Sequence, residues 1–464
     1  MNSAEKLERA LGLPEATALN MIDMVGIGPF IVIPFVLQKM PGGYSLLAWL
    51  AGACLALLDG CIWAELGAAM PQAGGSYTFL REEYGPGRWG RLMSFLLIWQ
   101  TLFQAPLVLA SGALGFGEYS TFLLPKQGAL ANAVARIKIG HTPYFEHLVA
   151  AAAVIFIIFL LYRHIGAVGK ISIAIWTVVI GTIIWLIYGG ATHFDAQGVF
   201  EFPAGRWDSS WLFIAGLGGA SVQTVYTYLG YYNFCNLGGE MKQPQRNIPR
   251  AIFISILGIT ALYLAMQMSI LSVVPWREAQ HSSFVVSVFV ERAYGLGWAR
   301  VATGLILIIA FGSLFSATLG YSRVSYAAAI DGNFFSAFGR IHPTKKFPHV
   351  SLLALGAAAF VFSLLFRLNV VIRAILAMRC LIQFIGQAVG LIALHRRWPS
   401  EKFPFRMWLY PIPAVIAILG WGAIFVSTGV RLMTSALIFT IVGAIVYLAR
   451  ARTLKQWPFQ ETAA

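Results

Sequence analysis

The chain has 464 residues, 58% of them hydrophobic and 11% charged, with a mean hydropathy of +0.72. An ordinary soluble chain is about 25% charged, so this composition excludes a soluble globular protein and describes a polytopic membrane protein. The net charge of +14 suggests an acidic partner, but the placement of the charges, loop against loop, explains it without nucleic acid.

Apolar runs bounded by charges or Pro/Gly clusters predict about twelve membrane helices, near 17–38, 44–70, 92–124, 147–162, 171–192, 209–237, 251–274, 298–322, 349–366, 371–395, 407–430 and 432–449. The first sixteen residues are polar and lack the positive start, apolar run and small-residue cleavage site of a removable signal, so the first helix is expected to stay as an anchor. With that end cytoplasmic, 21 of the 33 basic residues fall on cytoplasmic segments, 11 on the opposite side, and Arg379 inside a span. This is the positive-inside pattern, with both termini cytoplasmic. Cys54, Cys61, Cys235 and Cys380 all sit in apolar runs without paired spacing and read as small core residues, not as a disulfide or metal framework.

The first apolar stretch, Thr17 to Leu37, is long enough to cross a bilayer, yet it contains Asp23-Met24-Val25-Gly26-Ile27-Gly28-Pro29-Phe30. Each glycine costs about 1 kcal/mol relative to alanine in a helix, and Pro29 removes an N–H while disfavouring helical conformation at Gly28. In lipid such a break is tolerated where it is buried in protein or lines a cavity. Its freed N–H groups would favour a carboxylate and its freed carbonyls an ammonium or a metal ion; the alternative is a kink used only for packing.

The second run ends in Ala64-Glu65-Leu66, then Pro71-Gln72-Ala73-Gly74-Gly75-Ser76-Tyr77. This resembles the cytoplasmic loop signature of amino acid permeases in the amino acid, polyamine and organocation transporter superfamily. Gly26-Ile27-Gly28-Pro29-Phe30 resembles that family's glycine-rich break in the first helix. Tyr228-Leu229-Gly230-Tyr231 through Gly239-Glu240 to Pro249-Arg250 resembles the end of its sixth helix and the following loop, and Ser322-Arg323 through Asp331-Gly332, His342-Pro343 and Pro348-His349 its eighth-to-ninth connection.

The resemblance implies a LeuT-type fold, with helices 1–5 and 6–10 as inverted repeats and two further helices. The corresponding divisions are a cytoplasmic segment 1–16, a ten-helix transport core 17–395, a cytoplasmic loop 396–406, helices 11 and 12 over 407–450, and a cytoplasmic tail 451–464. The sixth helix should then be broken like the first. Gly216, Gly218 and Gly219 lie early in its run, and Thr227 to Asn233 surrounds Gly230 with polar and aromatic residues, read as a pocket in preference to an interfacial belt.

By the same resemblance, the substrate carboxylate would meet the N–H groups of Gly26, Ile27 and Gly28. Its ammonium would meet carbonyls near Asp23, Met24 and Tyr226 to Tyr228, with Thr227 among them. Tyr226 or Tyr228 would act as an aromatic gate, and Tyr231 stands where the family usually has tryptophan, adding a hydroxyl.

Three features depart from the pattern or stand outside it. Asp23 replaces a neutral residue; a carboxylate within a membrane helix costs on the order of 3 kcal/mol, so it should bind a cationic group of the substrate, a coupling Na⁺ or a proton, or else reach water at the helix end. The fifth helix, Ile171 to Thr192, lacks the lysine common in sodium-independent members, with Val179 at the matching position. A cation there would draw on Ser313, Ser316 or Thr318 of the eighth helix, although such hydroxyls also serve packing. Arg379, near Gln383 and Gln387, is expected to pair with a carboxylate among Asp23, Asp59 and Glu118.

The reading is therefore a secondary transporter of the cytoplasmic membrane that moves an amino acid by alternating access, as ion- or proton-coupled symport or exchange. A polyamine or cationic amino acid carrier is the alternative, because Asp23 and tyrosine faces can hold cations. A substrate sensor on a transporter fold would keep the same pocket. There is no cofactor beyond Na⁺ or H⁺ to expect. An intramembrane enzyme lacks its His-Glu-x-x-His or Gly-x-Ser-x-Gly signature, and a channel lacks a filter or charged ring.

Overall fold

The computed structural model describes residues 12–459 apart from 73, 126–127, 140–141, 164–167, 204–209, 237 and 344–346. Most of the predicted N-terminal segment, residues 1–11, and the last five of the predicted tail lie outside the described residues.

The chain is built of helices: α1 (Leu13–Val25), α2 (Gly28–Lys39), α3 (Ser45–Ala69), α4 (Ser76–Glu83), α5 (Trp89–Ser120), α6 (Ala129–Arg136), α7 (Phe145–Arg163), α8 (Val168–Thr192), α9 (Ala196–Val199) and α10 (Ser210–Tyr228). They continue as α11 (Pro244–Val273), α12 (Trp276–Ala279), α13 (Val285–Tyr294), α14 (Leu296–Ile330), α15 (His349–Leu365), α16 (Leu368–Arg379), α17 (Gln387–His395), α18 (Ile412–Ser427) and α19 (Val430–Thr453). Extended pairing among the described residues is confined to two antiparallel two-residue strands, β1 (Lys138–Ile139) and β2 (Thr142–Pro143).

Among the described residues, seven helical runs are long and apolar enough to cross a membrane, and α1 with α2 makes an eighth, bent by 47° at its break. Without water to solvate backbone groups, helices satisfy them internally, which is why so apolar a chain takes this form. α5 packs against α7, α14, α15 and α16, while α3 packs against α10, α11 against α1, and α3 and α11 against each other. The broken elements therefore sit inside the bundle. α19 is mostly exposed, its apolar outer face suited to lipid.

One irregularity positions side chains in the interior. A π-helical turn, Cys380–Gly386, separates α16 from α17 directly after Arg379; such turns re-aim neighbouring side chains. Within it, Phe384 stacks on Trp421 with ring centroids 3.8 Å apart. The glycines of the sixth predicted span at 216, 218 and 219 do not interrupt α10, which runs unbroken to Tyr228. Cys61, Cys235 and Cys380 are buried, but Cys54 is exposed on α3; all four thiols are free.

Candidate functional site

Two breaks meet at the centre of the bundle. α1 stops at Val25 because Gly26 takes φ 38° and ψ −147°; α2 restarts at Gly28 with Pro29 in its first turn, where a helix N–H has no internal partner to lose. α10 stops at Tyr228, and the chain turns through Gly230, at φ 124°, into a short 3-10 turn over Asn233–Asn236. A Cβ on Gly230 would stand 2.8 Å from the Asp23 carbonyl carbon and 2.9 Å from the Met24 nitrogen. Glycine is what lets the two broken ends touch.

Tyr263 of α11 ties these ends together. Its hydroxyl lies 2.9 Å from the Met24 carbonyl oxygen and 3.1 Å from that of Thr227, so one donor is shared between both breaks. α1 also grips the chain beyond Gly230. The Phe234 N–H donates to Asn20 Oδ1 at 3.2 Å, and Asn233 Nδ2 donates to Asp23 Oδ2 at 3.1 Å.

Beside this junction lies a cavity of about 540 Å³, within the roughly 300–1,000 Å³ of small-molecule sites. Its wall takes Asp23 to Gly28 from the first break, Tyr226, Thr227, Leu229 and Gly230 from the second, Ser111 from α5, Ser313, Ser316 and Tyr321 from α14, and Arg379 from α16. It extends toward α4 past Gly74, Tyr77 and Asn236. Tyr226 is fixed there by a 2.9 Å hydrogen bond between its hydroxyl and that of Ser111.

The hydrogen-bonding of the first break is uneven. The Gly26 N–H donates to the Ile22 carbonyl at 3.3 Å, whereas the N–H groups of Ile27 and Gly28 find no acceptor among the described residues. They stand at the positive end of α2 and on the cavity wall, an arrangement that favours an anion. Asp23, with Ser316 beside it on the lining, puts a carboxylate on the same wall. A zwitterion has a counterpart here for each of its charges.

Arg379 is 4% exposed. Its guanidinium donates to the hydroxyls of Tyr232 and Tyr321, and it lies 5.6 Å from the Tyr232 ring centroid. With the Gln104 amide turned so that its oxygen faces the guanidinium, Gln104 accepts from Nη2 at 2.6 Å and from Nε at 2.9 Å.

On the α4 side the cavity is bordered by a clamp. The Tyr77 hydroxyl donates to Asp331 Oδ2 at 2.5 Å, and Arg81 Nη1 reaches the same oxygen at 2.9 Å. Ser76 donates to Gln387 Oε1 at 2.7 Å and Tyr84 to the Gly386 carbonyl at 2.6 Å, so α4 touches the ends of both α14 and α17.

A family model described as amino acid permease matches residues 11–447. The chain belongs to the amino acid permease family. The permease is 26% identical over 423 residues to the serine/threonine exchanger SteT of Bacillus subtilis, covering 89% of this chain and 90% of that one. It is 26% identical to the human cystine/glutamate transporter over 89% of this chain and 79% of that one. To mouse cationic amino acid transporter 4 it is 24% identical, over 84% of this chain and 60% of that longer protein. These relatives are transporters, not enzymes.

Not every residue singled out in the permease sequence faces the cavity. Asp23, Gly26, Ile27, Gly28, Tyr226, Thr227, Gly230, Ser313 and Ser316 line it. Tyr228 does not: it is fully buried between Trp49 and Tyr263, its hydroxyl donating to the Trp49 carbonyl at 3.3 Å. Tyr231 is drawn away by its hydroxyl, which donates to Asp59 Oδ2 at 2.5 Å. Thr318 closes on its own helix, donating to the Leu314 carbonyl at 2.7 Å. Part of the carbonyl set expected to meet an ammonium is occupied too, since Met24 and Thr227 share the Tyr263 hydroxyl.

The expected pairing of Arg379 with a carboxylate is not found. Asp23 is held by Asn233 and Asp59 by Tyr231 and Trp421, and none of Asp23, Asp59 and Glu118 forms an ion pair with Arg379; the guanidinium is satisfied by neutral oxygens instead. Val179 is buried on α8, which packs against α1. Sequence reasoning missed Tyr263, Gln104, Ser111 and Tyr321; Tyr232 and Asn233 lay in the stretch read as a pocket and do line the cavity, but no role was given to them. Tyr263 and Gln104 carried no local motif, each lying in a mainly apolar run with other scattered polar residues; Tyr232 and Asn233 adjoined the glycine that marked the second break.

Proposed function

We propose that this protein is a secondary transporter that carries an amino acid across the cytoplasmic membrane by alternating access. The observation that carries the reading is the cavity at the meeting of two broken helices, with the Ile27 and Gly28 N–H groups, unpaired among the described residues, and the Asp23 carboxylate on one wall. Discontinuous helices offering an N-terminus to an anion and polar groups to a cation are a recurrent design for transport sites near the bilayer midplane.

The twelve-helix architecture belongs to the same proposal. Eight spans come from the long helices and the broken pair, three more from the shorter apolar helices Trp176–Thr192, His349–Leu365 and Ile412–Ser427, and α10 supplies the twelfth. In that count α1–α2 and α10 are the first and sixth spans, and their breaks touch, as expected of paired inverted repeats. We place both termini in the cytoplasm from the distribution of basic residues. Asp23, with Ser313 and Ser316 nearby, is the proposed site for a coupling proton or Na⁺. The cationic-substrate alternative is weakened by Arg379 on the cavity wall.

The test is radiolabelled uptake into proteoliposomes with a mixed amino acid and polyamine panel, under a Na⁺ gradient, an inward proton gradient, or internal amino acid. Saturable amino acid uptake is the expected result, and the driving condition identifies the coupling. Saturable binding without flux would replace the transporter by a sensor.

A further inference from the structure

A buried guanidinium without a carboxylate partner is a costly arrangement in a membrane protein, and Arg379 has none among the described residues. Its partners are two phenol hydroxyls and one amide oxygen, which stabilise the donors without neutralising the charge. Arg379, Tyr232 and Tyr321 all face the cavity that holds Asp23 and the free N–H groups of Ile27 and Gly28. Each phenol accepts from the guanidinium and so keeps its own O–H to donate.

A neutral amino acid would match its ammonium to Asp23 and its carboxylate to the start of α2, leaving Arg379 uncompensated. A basic one would add a like charge beside it. A substrate with a second carboxylate would supply the missing counterion, bound by the guanidinium and the two hydroxyls through charge-assisted hydrogen bonds.

We propose that Arg379, Tyr232 and Tyr321 form a second carboxylate-binding subsite, and that the substrate is an amino acid with an acidic side chain. This rests on the transport-site reading above. The names of the relatives do not select it, because they span hydroxyl, cationic and acidic amino acids.

Isosteric pairs isolate the charge. Purified protein would be tested for thermal shift and for competition of uptake by glutamate against glutamine and by aspartate against asparagine, with leucine and lysine alongside. The expected preference is about 10- to 100-fold for each acid over its amide, the range of a hydrogen-bonded charge. R379Q should abolish that preference while uptake or binding of the amides persists or rises.

Wild-type protein that takes the amides as well as the acids would overturn the inference and leave the transport reading intact. So would R379Q losing acids and amides in equal proportion, since Arg379 would then hold a group common to all substrates. The wild-type comparison decides the case even if R379Q fails to fold. No binding or uptake of any amino acid would remove the transport reading, and this inference with it.

Discussion

Single residues decide whether the centre of this molecule can form. At Gly230 two demands coincide, a backbone φ of 124° and an approach to the Asp23–Met24 peptide too close for any Cβ. Gly230→Ala must push the two broken ends apart as well as adopt a disfavoured backbone. It should lower stability by about 1–3 kcal/mol and reduce uptake, measured by thermal unfolding in detergent and by proteoliposome flux. A variant that melts and transports like the wild type would show that the contact does not matter. Tyr263 works at the same scale with opposite chemistry. Its hydroxyl reaches carbonyls that both breaks leave open, and buried backbone oxygens are rarely left unpaired.

Among the elements, α4 carries the most consequence outside the spans. It joins α14 through Asp331 and α17 through Ser76 and Tyr84, although the Arg81–Asp331 pair is half exposed and worth only about 0.2–1 kcal/mol. More of its energy lies in Glu83, which is fully buried against Gly390 with neither carboxyl oxygen hydrogen-bonded. Burial pushes the Glu83 carboxyl well above the ordinary carboxylate range, and the nearby Arg397 charge opposes this without cancelling it. The folded state therefore keeps a proton that the unfolded chain releases near its ordinary pKa of about 4.3. The resulting stabilisation is full below that value and is lost as pH rises toward and through the folded one. Glu83→Gln removes this titration, so its melting temperature should fall less steeply with rising pH than the wild type's and exceed it at neutral pH. Parallel pH profiles for the two would show that Glu83 does not titrate in folding.

For the molecule as a whole, the question is how the bundle lies in the membrane. Basic residues concentrated on one set of loops orient a polytopic chain during insertion. A reporter that works only in the cytoplasm should therefore be active when fused after Ala464. A phosphatase that works only outside should be active when inserted between α5 and α7. The reverse pattern would invert the topology and put the α4 side of the cavity outside the cell.

Composition and local pattern were enough to establish an all-helical membrane protein, and Gly26-Ile27-Gly28-Pro29 was enough to place the first break. These properties follow from what each stretch of backbone can do in lipid, independent of its neighbours. The second break was legible at Gly230 but not against the competing glycines near 216, which α10 absorbs without interruption. Tertiary packing alone decided which polar groups meet. It turned Tyr231 toward Asp59, closed Tyr228 against Trp49, gave Arg379 neutral partners and brought Tyr263 to both breaks. A hydrogen bond between helices depends on the rotation and depth of both, and those are set by the whole packed bundle, so no single run of sequence contains them.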